Sequence, residues 1–227
     1  MKTSLFASAL LILAIQACSP KVERFTVRGS VSDPVAAQPG SLVYLSGPEG
    51  AIDSTKVKDG AFSFVGAMDP ARQLTVTLKY PGKDKWDDSF TVVFVPDAET
   101  ICIDLDYPAT VSGSPLTDEI AKFREELLSL YYDPRADLGE QEPGMDAEVQ
   151  IEAERQAADS LYRVQMQKII QFSRETYLSN TGNALGRQAL SLLISELPRA
   201  ELDSLLALGG EAIRNDKQLR ALIESKE

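Results

Sequence analysis

The chain reads as α+β: an N-terminal antiparallel β-sandwich followed by a C-terminal helical region. Three observations predict this. Between Phe25 and Asp106, apolar residues recur at every second position in short runs separated by turn residues. From Ile120 onward they recur every third or fourth position. The change of period falls at Ser114-Pro115-Leu116-Thr117, a helix-start sequence.

The strands follow in order. Phe25, Val27, Gly29 and Val31 share one face of the first. Leu42 to Leu45 is a second, short strand. Asp59-Gly60 suits a tight hairpin turn, because Gly accepts positive φ and Asp bonds its own backbone. Phe62 and Phe64 alternate on the return strand. Leu74 to Tyr80 alternates strictly. Phe90 to Val95 is apolar on both faces, the pattern of a central strand. Ile101 to Asp106 alternates again, with Cys102, Asp104 and Asp106 opposite Ile101, Ile103 and Leu105.

The helices follow. Thr117 is the expected cap of the first, with Asp118 and Glu119 in its first turn and a stripe of Ile120, Phe123, Leu127 and Leu130. Asp133 to Gly144 is polar and carries Pro134, Gly139 and Pro143, so it reads as a loop. A long helix is predicted from Met145 to Leu178, its stripe including Ala158, Leu161, Tyr162, Ile169 and Phe172. Val149, Ile151, Val164 and Met166 lie off that stripe and need other cover. Further helices are predicted at Ala184–Glu196, from Pro198 to Leu208, and over Glu211–Ser225.

The beginning of the chain carries a different message. After Lys2, the run Leu5–Ile15 is almost wholly apolar. It is shorter than the ~20 residues needed to span a bilayer, and it suits a signal-peptide core. It ends in Ile15-Gln16-Ala17-Cys18, which resembles a bacterial lipobox. The expected organisation is a signal peptide over 1–17, a lipidated tether over 18–24 starting at Cys18, a β-sandwich over 25–114 and a helical region over 115–227. Two acyl chains make a stable anchor, each buried methylene contributing about 0.8 kcal/mol. The expected location is the Gram-negative envelope, facing the periplasm from the outer membrane.

Composition excludes several functions. The formal net charge is −11. Such a chain repels phosphate backbones, so no nucleic-acid partner is expected. There are no histidines, which removes Ser-His-Asp and Cys-His catalysis and imidazole metal sites together. With Cys18 committed to lipid, Cys102 has no partner for a disulfide. Carboxylate neighbours disfavour its thiolate, so a packed structural thiol is expected. Asp104 and Asp106, with Asp87-Asp88, lack any calcium-loop spacing and read as surface carboxylates. The acidic group Glu140, Glu142, Asp146 and Glu148 reads as a solvated loop entering a helix. Tyr80, Tyr131 and Tyr132 fit a core better than a ligand groove. Trp86, between Lys85 and Asp87, is the one weak ligand-binding candidate. No catalytic residue, metal or cofactor is expected.

The runs F-T-V-R-G-S-V from Phe25, V-Y-L from Val43, I-D-S-T-K-V-K-D-G-A-F-S-F-V-G from Ile52 and V-S-G-S-P-L-T-D-E-I-A-K-F from Val111 together resemble the β-domain of domain of unknown function 4369. The resemblance covers Phe25 to Glu126, and the helices beyond resemble the linker of the same proteins. It implies an envelope lipoprotein. Many such proteins carry a C-terminal thioredoxin-like thiol–disulfide oxidoreductase domain. This chain stops at Glu227, where that module would begin, and it contains no Cys-x-x-Cys. The expected function is therefore a non-enzymatic binding or assembly module, with an envelope partner met through the helical region. An accessory or truncated role in thiol–disulfide redox machinery is the first alternative, and a glycan-binding lipoprotein the second.

Overall fold

A computed structural model describes residues 23–81, 90–131 and 147–226. Cys18, Trp86, Asp87, Asp88, Tyr132 and the polar segment 133–144 lie outside the described residues.

Among the described residues, eight strands form two four-stranded sheets. One holds β1 (Arg24–Ser30), β4 (Ala61–Ala67), β7 (Thr100–Asp104) and β8 (Thr110–Ser112), in the order β4-β1-β7-β8. The other holds β2 (Leu42–Gly47), β3 (Gly50–Lys56), β5 (Leu74–Lys79) and β6 (Thr91–Phe94), in the order β3-β2-β5-β6. Alternation places Phe25, Val27 and Phe64 from the first sheet and Val43, Val76 and Leu78 from the second in one buried core. Ile101, Ile103 and Leu105 join it, as their phase predicts.

The core face of β1 and β4 is fitted by two glycine–aromatic pairs. Gly29 stands opposite Phe62, and Phe25 opposite Gly66. Each ring lies over the opposing glycine, where a Cβ would come within 1.9 Å of Phe62 or 2.4 Å of Phe25. Gly29 thus belongs on the buried face for a packing reason.

Three strand expectations need correction. The pairing is not wholly antiparallel, since β1 and β7 run parallel. The chain returns from the second sheet at the end where β1 begins, with Thr26 N–H bonding to Glu99 C=O at 2.8 Å, and so enters beside β1 in the same direction. Phe90–Val95 does not form a central strand, because β6 is an edge. Its apolar residues serve different surroundings: Phe94 enters the sandwich core, Val95 enters the helical core, and Val93 is exposed. Finally, the Asp59-Gly60 turn forms, with φ of 52° and 72° and reciprocal 2.9 Å bonds between Lys58 and Ala61. Yet the strands it joins enter opposite sheets, so the turn is a crossing between layers.

The helical region comprises α1 (Pro115–Tyr131), α2 (Ala147–Ser179), α3 (Ala184–Glu196), α4 (Arg199–Leu208), α5 (Glu211–Arg214) and α6 (Lys217–Glu224). Its core gathers Ile120, Phe123, Ile169, Tyr177, Leu190, Leu193, Leu202, Ile213 and Leu219. Tyr177 is fully buried, and its hydroxyl donates to Leu205 C=O at 2.8 Å. Burial pushes the Tyr177 phenol above its ordinary pKa.

Two helix starts differ from expectation. Ser114, not Thr117, caps α1: it receives Thr117 N–H at 3.3 Å, and Pro115 takes the first helical position, where its fixed φ fits. The predicted last helix is two helices. Asp216 interrupts it and caps α6, accepting from Gln218 N–H at 2.8 Å and Leu219 N–H at 3.0 Å.

The amino-terminal half of α2 also departs from its predicted stripe. Phe123 stacks on Phe172 with ring centroids 5.3 Å apart, and Gln165 donates to Leu130 C=O, so α1 and α2 run antiparallel. α1 therefore ends beside residue 165, and among the described residues nothing in α2 before Met166 joins the helical core. Tyr162 is 61% exposed and Val164 55% exposed.

The helical layer covers one end of the sandwich. β1 begins at that end, β8 and β6 finish there, and Ala184 N–H bonds to Pro70 C=O at 2.7 Å. The joint is polar. Thr117 Oγ1 accepts Val95 N–H at 2.9 Å and shares a 2.6 Å hydrogen bond with Ser114 Oγ, in which either hydroxyl can be the donor. Ser114 Oγ also lies within donating distance of Asp97 Oδ1 and Val95 C=O, at 2.7 and 2.9 Å.

Candidate functional site

A cleft of about 500 Å³ opens where the helical layer meets the sandwich. Its sandwich wall is the β2–β3 turn at Pro48-Glu49 and the segment Asp69–Gln73. Its helical wall is Arg187 on α3 and the α5–α6 junction, Ala212 to Gln218. Clefts between packed units are common ligand sites.

The helical wall is tightly ordered. Arg187 Nε lies 2.5 Å from Asp216 Oδ2, and its terminal nitrogen reaches Gln218 Oε1 at 2.9 Å. Burial alone would raise the Asp216 carboxyl. The Arg187 guanidinium and the Leu219 and Gln218 amides outweigh it and hold the group below its ordinary value. One carboxylate thus fixes an arginine and starts a helix.

Across the cleft, Arg72 and Asp69 face each other at 3.9 Å, both close to half exposed. Lys217 and Glu49 make no ion pair among the described residues. The cleft therefore offers one ammonium and one carboxylate, framed by fixed guanidinium and amide groups. That chemistry suits a polar ligand bearing both charges, such as a peptide segment. It holds no thiol, and the chain has no imidazole.

A second groove, about 460 Å³, lies between the free edges of β6 and β8 and the first turns of α1. Val93, Val95, Val111, Ile120 and Ala121 make it chiefly apolar, with Arg124 at the rim.

The sequence candidates fall elsewhere. Cys102 is exposed, which overturns the packed-thiol expectation. Its phase was read correctly, but among the described residues no layer covers that face of the sheet. Its strand neighbours are Arg28 and Ser112. Asp106 is a loop brace: its Oδ1 accepts the Ser32 and Asp33 amides at 2.8 and 2.9 Å. Hydrogen bonding from the Ser32 side chain lowers its pKa most; burial opposes it, and the Asp33 and Ser32 amides add to the lowering. Asp104 Oδ1 accepts Asp106 N–H at 3.1 Å. Among the described residues no group of three His, Cys, Asp or Glu side chains could hold a metal. Tyr80 packs edge-on against Phe90 at 5.8 Å, while Tyr131 is 52% exposed at the end of α1. The structure does not gather these aromatics into a groove.

Sequence reasoning missed the cleft residues. Arg72, Arg187 and Asp216 are far apart in the chain, and only Asp216 carried a local signal, as a capping residue before K-Q-L.

Residues 25–120 match the family described as Domain of unknown function (DUF4369), over the whole sandwich and the start of α1. Comparison with curated proteins and with solved structures returned no match.

Proposed function

We propose that this DUF4369 sandwich, with the helical layer on its end, is a lipid-anchored protein of the Gram-negative envelope. It faces the periplasm from the outer membrane and acts as a non-enzymatic binding or assembly module. The observation that carries the reading is the short reach from Cys18 to the fold. β1 begins at Arg24, so even an extended tether spans only about 20 Å. β1 also starts at the end covered by the helices. An anchor at Cys18 would hold the helical layer and the charged cleft close to the bilayer, with the rest of the sandwich pointing outward.

The ordered Arg187–Asp216 wall, the polar joint and the lack of histidine support binding over catalysis. The cleft takes a polar partner segment, paired through Lys217 and Glu49. Metabolic labelling of the full chain with a clickable fatty acid tests the anchor. Label is expected on the parent and lost in Cys18→Ala; label retained by that variant overturns the lipoprotein reading. A photo-crosslinking amino acid at Asn215, on the cleft wall, tests the binding half in native envelopes. A discrete adduct with one envelope partner is expected, and its absence there overturns the binding role.

A further inference from the structure

We infer that the amino-terminal half of α2 is a self-association surface, packing antiparallel on the same segment of a second copy. The exposed side chains Glu152, Arg155, Asp159 and Tyr162 follow one another at spacings of three, four and three residues. That spacing puts them on one face of the helix. Further along, the same side of α2 carries Met166, which packs on the helical core, and then Tyr177, which α3 and α4 help bury. Before Met166 neither α1 nor α3 lies alongside it, and among the described residues the face has no apolar neighbour.

The charges along this face decide what fits it. They alternate: Glu152, Arg155, Asp159, Arg163. Among the described residues none of the four enters an ion pair, although Gln156 Nε2 bonds to Glu152 at 3.1 Å. An antiparallel copy centred between Ala157 and Ala158 sets Glu152 opposite Arg163 of the second copy. It sets Arg155 beside Asp159 of that copy. Two-fold symmetry repeats both contacts, so each of these four charges meets its opposite. A parallel arrangement would set like against like. The Tyr162 ring falls next to Arg155 of the second copy, a cation–π geometry. The pattern is self-complementary in one orientation only, and this selects a second copy as the occupant.

A charge swap separates this contact from pairing within one helix. Glu152 and Arg163 are eleven positions apart, about 16 Å along the axis, too far to touch in one chain. The full chain, purified in mild detergent, is expected to show the protein mass of two chains by light scattering. Arg163→Glu should raise the dissociation constant by about tenfold or more, since repulsion replaces two attractive pairs. Glu152→Arg combined with Arg163→Glu should restore the dimer. A monomeric parent, a dimer unaffected by Arg163→Glu, or a double variant of unchanged helicity that stays monomeric would each overturn the inference. A second arm needs no refolded variant. Asp159→Cys in a Cys102→Ser background should form an oxidised dimer in membranes, absent when Asp159 is retained. No dimer under oxidation overturns it equally.

Discussion

The sandwich and the helical layer each have a complete apolar core, and the two cores are assembled differently. The sandwich core joins strands distant in sequence, with β1 paired to β4 and β7 across the whole domain. The helical core gathers consecutive helices around Tyr177. Among the described residues of the sandwich strands and their flanks, only Val95 belongs to the helical core. What joins the halves, beside Val95 and the Ala184–Pro70 backbone bond, is chiefly a set of hydrogen bonds at Ser114, Thr117 and Asp97. Cohesion within each half is thus hydrophobic and cohesion between them mainly directional, so the halves can lose order separately.

The harshest way to break the comparison is to empty the helical core. Tyr177→Ala should cost about 3–5 kcal/mol. Hydrogen exchange should rise across α2 to α6 while β1, β2, β5 and β7 stay protected. Equal loss in both halves would mean one cooperative core. The converse variant is Gly29→Ala. Its Cβ collides with the Phe62 ring, and overpacking should cost about 1–3 kcal/mol. Exchange should then rise in β1 and β4 and leave the helices unchanged.

Ser114→Ala acts on the joint. It removes the hydroxyl that caps α1 and bonds to Asp97 and Val95. A cost of about 1–2 kcal/mol is expected. Its signature is a single thermal transition splitting into two.

The smallest effect is the pH response of Asp216. Its folded pKa is depressed, so its stabilisation is present above the ordinary value of 3.8 and is lost as pH falls through the folded value. Asp216→Asn should flatten stability against pH below 3.8, and the helical half should carry the difference. An identical acid profile in parent and variant would remove Asp216 from that role.

Legibility followed the same division. Alternation located β1, β4, β5 and β7 because one face of each is buried, and the stripe of α1 emerged for the same reason; β8 has no buried face and left no such signal. What the local pattern could not show was who pairs with whom. β6 is apolar on both faces because it borders two cores, and a central strand has the same signature. The parallel β1–β7 pair depends on where the chain re-enters the sheet. Cys102 was given the right face and the wrong surroundings, since alternation reports phase and not what lies beyond the sheet. The cleft was invisible for a related reason: Arg187 and Asp216 meet only after α3 and α6 pack.

The position of β1 has a mechanical consequence. The chain enters the fold at Arg24, and β1 is an interior strand with a ladder on each side. A pull applied at Glu23 along the strand axis strains both ladders in shear, with many hydrogen bonds carrying the force together. Had the tether led into an edge strand and been drawn sideways, the bonds would have peeled one at a time. A leash fixed to an interior strand would let the whole body be tugged from its amino-terminal side without unravelling from the point of attachment.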